Sequence, residues 1–156
     1  MKTIYVNSPL GVTKISGDEN GISEISVGYD DSITNEIPTE FQLVVKELEE
    51  YFSGKRKEFT FKLNPTGTDF QKRVWQELLK IPFGKTTSYL DLSKKLGDVK
   101  AIRAVASANG KNPLWIVVPC HRVIGSDGSL TGYAGGLWRK QWLLEHEKGE
   151  KQQTLF

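Results

Sequence analysis

The first sixty residues alternate between short apolar runs, at Thr3 to Val6, Val12 to Ile15 and Ile22 to Tyr29, and polar, turn-forming stretches. Within the third run Ile25, Val27 and Tyr29 share one face, the period-two signature of a half-buried strand, and GDENG ahead of it supplies turn chemistry. The pattern predicts a hairpin-based sheet. The period then changes. PTEFQLVVKELEEYFSG opens with Thr39 and Gln42 at capping-box spacing and puts Phe41, Val45, Leu48 and Phe52 on one helical face, with Gly54 as its stop. EFTFKL reads as one more strand.

NPTGT, residues 64–68, is the predicted boundary, because beyond it the period is largely helical. Thr68 and Gln71 form a second capping-box pair, and Phe70, Val74, Leu78 and Ile81 line a face that Pro82 and Gly84 interrupt. Two short helices follow. TSYLDLSKKLG places Tyr89, Leu92 and Leu96 together and stops at Gly97; Asp98 then caps VKAIRAVASANG, whose Val99, Ile102 and Ala106 are expected to face inward. This is the outline of a helix-turn-helix, with Lys100, Arg103 and Ser107 outward and Ala104 and Ala108 beside them. An ordinary helical hairpin with a solvated cationic face has the same spacing. The expected organisation is an α/β domain over residues 1–66, a mainly α domain with a helix-turn-helix over 67–150, and a flexible tail over 151–156.

Composition narrows the chemistry. The chain has 156 residues, 38% hydrophobic and 26% charged, as a soluble globular protein does. One cysteine and two histidines cannot assemble a zinc-type cluster or an internal disulfide, so no metal or cofactor and a reduced, cytoplasmic setting are expected. No apolar stretch reaches membrane-spanning length and no signal-peptide pattern opens the chain, so no membrane partner is expected. The net charge of +2 divides into −4 over residues 1–66 and +6 over residues 67–156. A basic second half suits a polyanionic partner, although many solvated faces carry such an excess.

The sole cysteine, Cys120, lies in VVPCHRVIG, behind a run of β-branched residues. On base rates it is a small buried hydrophobe. Its neighbours argue for a site, since a thiolate needs a nearby base or cation and His121 and Arg122 are the local candidates. Successive side chains of an extended segment point to opposite faces, so a Cys120–His121 partnership needs a turn or a bridging water. A thiol hydrolase, turning over repeatedly, and a sequence-specific regulator, independent of Cys120, are the competing classes.

NPLWIVVPCHRVIGSDGSLTGYAGGLWRKQWLLEHE, together with PFGKTTSYLDLSKKLG and RAVASANGKNP ahead of it, closely resembles the O6-alkylguanine-DNA alkyltransferases. The match is dense from about Asp69 to Lys148; residues 1–66 match in arrangement, where that family has a ribonuclease-H-like α/β domain. The resemblance implies irreversible, once-per-molecule transfer of an alkyl group from O6 of guanine in double-stranded DNA to Cys120. His121 would take the thiol proton through a water, Glu147 would polarise His121, Tyr89 would protonate the guanine ring, and Asn112 would brace the turn around the cysteine. Arg103 would fill the gap in the base stack while the second helix, with Lys100, Ala104 and Ser107, sits in the minor groove. Val123, Tyr133, Ala134 and Gly135 would line the pocket for the flipped base. A monomer without cofactor is implied. A related class recognises alkylated DNA without transfer and carries tryptophan at the acceptor position, so Cys120 points away from it. Residues 1–66 have neither cysteine nor histidine, which leaves no zinc site of the kind some members carry there.

The terminal QQTLF resembles the pattern by which bacterial DNA-processing proteins dock on the sliding clamp, with Gln152, Leu155 and Phe156 as anchors. A tail packed on its own surface is the alternative.

Overall fold

The structure is a computed structural model, described for residues 1–128, 133 and 136–149. It divides into two compact units, one formed by residues 1–66 with Pro113–Trp115 and the other by residues 67–112 with 116–156.

The first unit is built on three antiparallel strands in the order β1 (Lys2–Val6), β2 (Val12–Asp18) and β3 (Gly21–Tyr29). Register pairs Ile4 with Ile15 and Ile15 with Ile25, and all three side chains are buried. The turn before β3 is tight: a Cβ on Gly17 would lie 2.7 Å from the Gly21 carbonyl oxygen, so only glycine fits.

Helix α1 (Thr39–Phe52) departs from the expected capping box. Pro38, with φ −55° and ψ 149°, already supplies the extended residue that precedes a helix, so Thr39 starts the helix and no side chain caps it. The buried face is Phe41, Val44, Leu48 and Tyr51, rotated from the expected one, and it includes Glu47. Glu47 is tolerated there because its carboxylate accepts from the Thr60 amide at 2.8 Å and meets Arg56 at 3.3 Å. That contact explains why EFTFKL is not a regular strand. The Thr60 amide is taken by Glu47, Phe59 packs on Tyr51 and Phe61, and only Leu63 bridges to the sheet, beside Ile22. Leu114 likewise bridges Ile25, so Pro113–Trp115 belongs with this unit although the sequence reading put it in the second.

The second unit opens with α2 (Asp69–Leu78), whose capping box is complete: the Gln71 amide donates to Thr68 Oγ1, and the Thr68 amide donates to the Gln71 side chain. Val74 and Leu78 are buried as expected. Phe70 is only half-buried and Trp75 takes its place, donating its Nε1 hydrogen to the Ala108 carbonyl at 2.9 Å. A Cβ on Gly67 would meet the Trp75 ring at 2.5 Å, so that approach needs the glycine.

After Tyr89–Lys95 (α3) the chain turns at Gly97, with φ +90°, and Asp98 caps a 3-10 turn over Val99–Ala101 that leads into α4 (Ile102–Gly110). The expected inward set is displaced. Val99 is half-exposed, and Val105, Ala108 and Asn109 are buried instead, because the three-residue turn shifts the helical phase. Lys100, Arg103, Ala104 and Ser107 are exposed; Ala108, expected beside them, is buried.

A two-residue parallel ladder joins β4 (Thr87–Ser88) to β5 (Val123–Ile124). Because the pairing is parallel, Tyr89, which follows β4, and the cysteine turn, which precedes β5, lie at opposite ends of this two-residue ladder. Helix α5 (Leu137–Lys148) packs on the cysteine turn and ends at Gly149, φ +75°. Among the described residues no helix is long and apolar enough to cross a membrane.

Candidate active site

Pro119 decides the geometry around the thiol. Its φ of −82° and ψ of 64° form an inverse γ-turn, closed by the Cys120 amide donating to the Val118 carbonyl at 2.8 Å. Cys120–Arg122 then make a 3-10 turn. The extended alternation that would have separated Cys120 from His121 is therefore broken, as the partnership requires. The segment enters this turn through Ile116 at φ +71°, a conformation rare for a β-branched residue and held here by a fully buried site.

Cys120 and His121 are both buried. His121 Nε2 lies 2.7 Å from Glu147 Oε2. Arg122 grips the same carboxylate at both oxygens, Nε to Oε1 at 2.8 Å and a terminal nitrogen to Oε2 at 2.9 Å, while its other nitrogen donates to the Ile81 carbonyl at 2.7 Å. The Gly84 amide adds a fourth donor to Glu147 at 3.3 Å. Arg122 is thus committed to Glu147 and not to the thiol, contrary to one of the two candidacies read from the sequence. Burial works to raise the Glu147 carboxyl, but the hydrogen bonds from His121 and Arg122 overcome it and hold the group well below the usual carboxylate range.

An ionised carboxylate only accepts, so His121 Nε2 carries the hydrogen and Nδ1 is the basic nitrogen. Burial keeps the ring neutral by lowering its pKa below 6.5, against the opposing pull of Glu147. His121 Nδ1 is buried and has no hydrogen-bond partner among the described residues. Burial also pushes the Cys120 thiol upward, opposed by hydrogen bonds from Asn112 and Tyr133 and by the charge of Lys140. The resting pair is therefore a neutral thiol beside a neutral base.

Asn112 Nδ2 also donates to the Val118 carbonyl at 2.7 Å, bracing the turn from behind. Asn109, which sequence reasoning missed, approaches the Cys120 carbonyl at 3.4 Å; its only sequence signal was a polar residue where the helix turns inward. Gly84 was read as a helix stop, and its φ of +80° is what turns its amide toward Glu147. Tyr89 is half-buried at the start of α3, and Val123 is fully buried in β5. Ala134, Gly135, Gln152, Leu155 and Phe156 lie outside the described residues. No group of three or more histidine, cysteine, aspartate or glutamate side chains is placed to hold a metal ion among the described residues.

A single thiol with a carboxylate-anchored imidazole beside it defines a class, proteins whose cysteine does covalent chemistry. Residues 69–149 match the family described as "6-O-methylguanine DNA methyltransferase, DNA binding domain", and residues 1–65 match its "ribonuclease-like domain". The chain belongs to the 6-O-methylguanine DNA methyltransferase family. The methylated-DNA–protein-cysteine methyltransferase of Methanosarcina barkeri is 44% identical over 150 residues, covering 92% of this chain and 94% of the relative. That of Mycobacterium tuberculosis is 45% identical over 155 residues, covering 96% and 94%. The crystal structure of the Mycobacterium tuberculosis protein OGT in complex with DNA matches with a TM-score of 0.85 at 44% identity, covering 93% of this chain and 91% of that one.

Proposed function

We propose that this protein repairs DNA directly, transferring the alkyl group from O6 of guanine to Cys120 irreversibly and once per molecule. The observation that carries the reading is the buried Cys120 beside a neutral, Glu147-anchored His121 in a chain of this family. The partner is double-stranded DNA, in keeping with the relative solved in complex with DNA.

An alkylated O6 is out of reach inside a duplex, so the nucleotide is rotated out, at a cost of a few kcal/mol recovered by stacking and hydrogen bonds. The exposed face of α4 enters the minor groove with Lys100, Ala104 and Ser107, and Arg103 fills the vacated stack. Val123, Tyr133, Ala134 and Gly135 line the receiving pocket. His121 Nδ1 takes the thiol proton through one water, the sulfur attacks the alkyl carbon, and the carbon–O6 bond breaks as the carbon–sulfur bond forms. Tyr89 protonates the guanine ring as the base leaves as a neutral species. Asn112 keeps the turn in place during attack. The net exchange is an alkyl group for a proton, and the thioether has no route back, which makes the protein single-use. The reaction asks for no cofactor and one chain per lesion, so the protein acts as a monomer; a reduced thiol suits the cytoplasm.

Intact-protein mass after incubation with duplex DNA carrying O6-methylguanine tests the reading. The wild type gains one methylene and saturates there, and Cys120→Ser gains nothing. Lesion binding without any mass gain overturns transfer and leaves recognition alone.

The terminal QQTLF supports docking on a sliding clamp through Gln152, Leu155 and Phe156, on sequence alone. Removing Phe156 abolishes binding to purified clamp; undiminished binding, or none by the intact protein, overturns it.

A further inference from the structure

Within the first unit, the turn between β1 and β2 and the C-terminal half of α1 border a cavity of about 300 Å3, with Trp115 as part of its wall. Val6, Val45, Leu48 and Phe52 supply the apolar lining, and the Phe52 and Trp115 ring centres lie 6.2 Å apart with their planes at 45°. That is room for one small ring compound. Several polar groups of the lining are already committed. The Ser8 hydroxyl donates to the Gly11 carbonyl at 2.8 Å and accepts from the Leu10 amide at 3.2 Å, and Thr13 donates within the same turn. The Ser53 hydroxyl donates to the Glu50 carbonyl at 3.1 Å. Trp115 and Glu49 are not so committed. Trp115 is 6% exposed, yet its Nε1 hydrogen has no partner among the described residues, a rare condition for a buried donor. Glu49 stands at the exposed edge without an ion pair among the described residues, whereas Glu47 and Glu50 are both met by Arg56. The last turn of α1 holds no basic residue, so the negative end of the helix dipole adds to the Glu49 charge. No lysine, arginine or histidine lines the cavity.

We propose that this cavity binds a small aromatic amine: its ring lies against Phe52 and Trp115, an oxygen on the ring accepts the Trp115 hydrogen, and its ammonium faces Glu49 and the end of α1. The inference is independent of alkyl transfer, because every lining group belongs to the first unit and the proposed reacting residues belong to the second. Each part of the ligand answers a part of the wall. The apolar lining favours a hydrophobic body over a sugar or a hydrated ion. The buried N–H favours a ring that carries an acceptor over one that would leave it unmet. The carboxylate, reinforced by the helix end and opposed by no lining cation, attracts an ammonium and repels phosphates and organic acids. Nucleotides are therefore excluded.

The chain has four tryptophans, so nitrogen-15-labelled full-length protein gives four indole cross-peaks in a proton–nitrogen correlation spectrum, and Trp115→Phe identifies the one from Trp115. Tyramine, an aromatic ring with a hydroxyl at one end and an ammonium at the other, is the probe. Titration is expected to move the Trp115 peak saturably, with a dissociation constant of about 1 mM, within what about ten non-hydrogen atoms can supply. Glu49→Gln, at an exposed position where folding is not at stake, weakens binding about threefold, the scale of an exposed ion pair. Phenethylamine, which lacks the hydroxyl, binds about threefold more weakly, and 3-(4-hydroxyphenyl)propionate, with a carboxylate in place of the ammonium, about tenfold more weakly or not at all. A Trp115 peak that stays in place throughout the tyramine titration overturns the inference, and so does movement of all four indole peaks together, the mark of adventitious contact. Equal binding of the carboxylate analogue, or an unchanged affinity in Glu49→Gln, overturns it by removing the cation. Equal binding of phenethylamine overturns it by leaving the Trp115 hydrogen without a part in recognition.

Discussion

His121 Nε2 and Glu147 Oε2 are 2.7 Å apart, and both side chains are withdrawn from solvent. Glu147 therefore does two jobs: it fixes the tautomer of His121, and it balances the buried Arg122. Glu147→Gln removes the charge from both. Breaking a buried pair from one side costs about 3–5 kcal/mol. The variant is expected to unfold at markedly lower urea and, in its folded fraction, to transfer alkyl groups about a hundredfold more slowly, the scale on which a positioned base contributes. Single-turnover transfer at matched folded fraction checks this; a rate within threefold of wild type would show that His121 does not depend on Glu147.

The pH dependence follows from the same burial. His121 binds its proton near 6.5 when unfolded and less readily when folded, so below 6.5 the unfolded chain takes up the proton first. This part of the stability is complete above 6.5 and is lost as pH falls toward the folded value, at about 1.4 kcal/mol per pH unit. Glu147 acts lower on the scale: its folded pKa is depressed, so its contribution is present above 4.5 and lost as pH falls through the folded value. Urea midpoints from pH 7.5 to 5 are expected to fall for the wild type and to be flatter for His121→Asn; equal slopes would place the titration elsewhere. The transfer rate, limited by a neutral base and a neutral thiol, is expected to be level between 6.5 and 9, and a peak centred at 6.5 would contradict that.

Cys120, His121, Glu147 and Asn112 were singled out because PCHRV and LLEHE mark a family; the structure sets His121 against Glu147 and Asn112 against the Val118 carbonyl ahead of the cysteine. Period and propensity located three strands and four helices, yet the inward faces of α1 and α4 were rotated. In each case a non-helical neighbour shifted the phase: Pro38 ahead of α1, and the 3-10 turn ahead of α4. Arg122 and Gly84 were illegible for another reason. Their roles depend on which carboxylate or ring arrives from a distant element, and no local spacing records that.

The Thr68 capping box offers a test of local against global effects. Thr68→Ala removes the acceptor for the Gln71 amide and is expected to cost about 1 kcal/mol. Because α2 carries none of the proposed reacting groups, the loss appears in the urea midpoint. A loss below about 0.3 kcal/mol would mean that tertiary packing of Trp75 and Val74 alone holds the start of the helix.

Lys100, in the 3-10 turn ahead of α4, and Arg103, in α4, are both exposed, but the proposed roles differ, and binding to DNA separates them. A lysine that meets only phosphate adds affinity for any duplex and one released counterion. Lys100→Ala is therefore expected to weaken lesion and undamaged DNA alike and to lower the salt slope by about 1. An arginine that replaces an extruded base contributes only when the base is out. Arg103→Ala is expected to weaken capture of O6-methylguanine duplex about tenfold or more, to slow transfer by the same factor, and to change binding to undamaged duplex little beyond the phosphate term. Fluorescence anisotropy of both duplexes across a salt series, alongside single-turnover transfer, gives the comparison. Equal losses on damaged and undamaged DNA for Arg103→Ala would reduce the residue to one more cation on the helix and would move base extrusion to another part of the second unit.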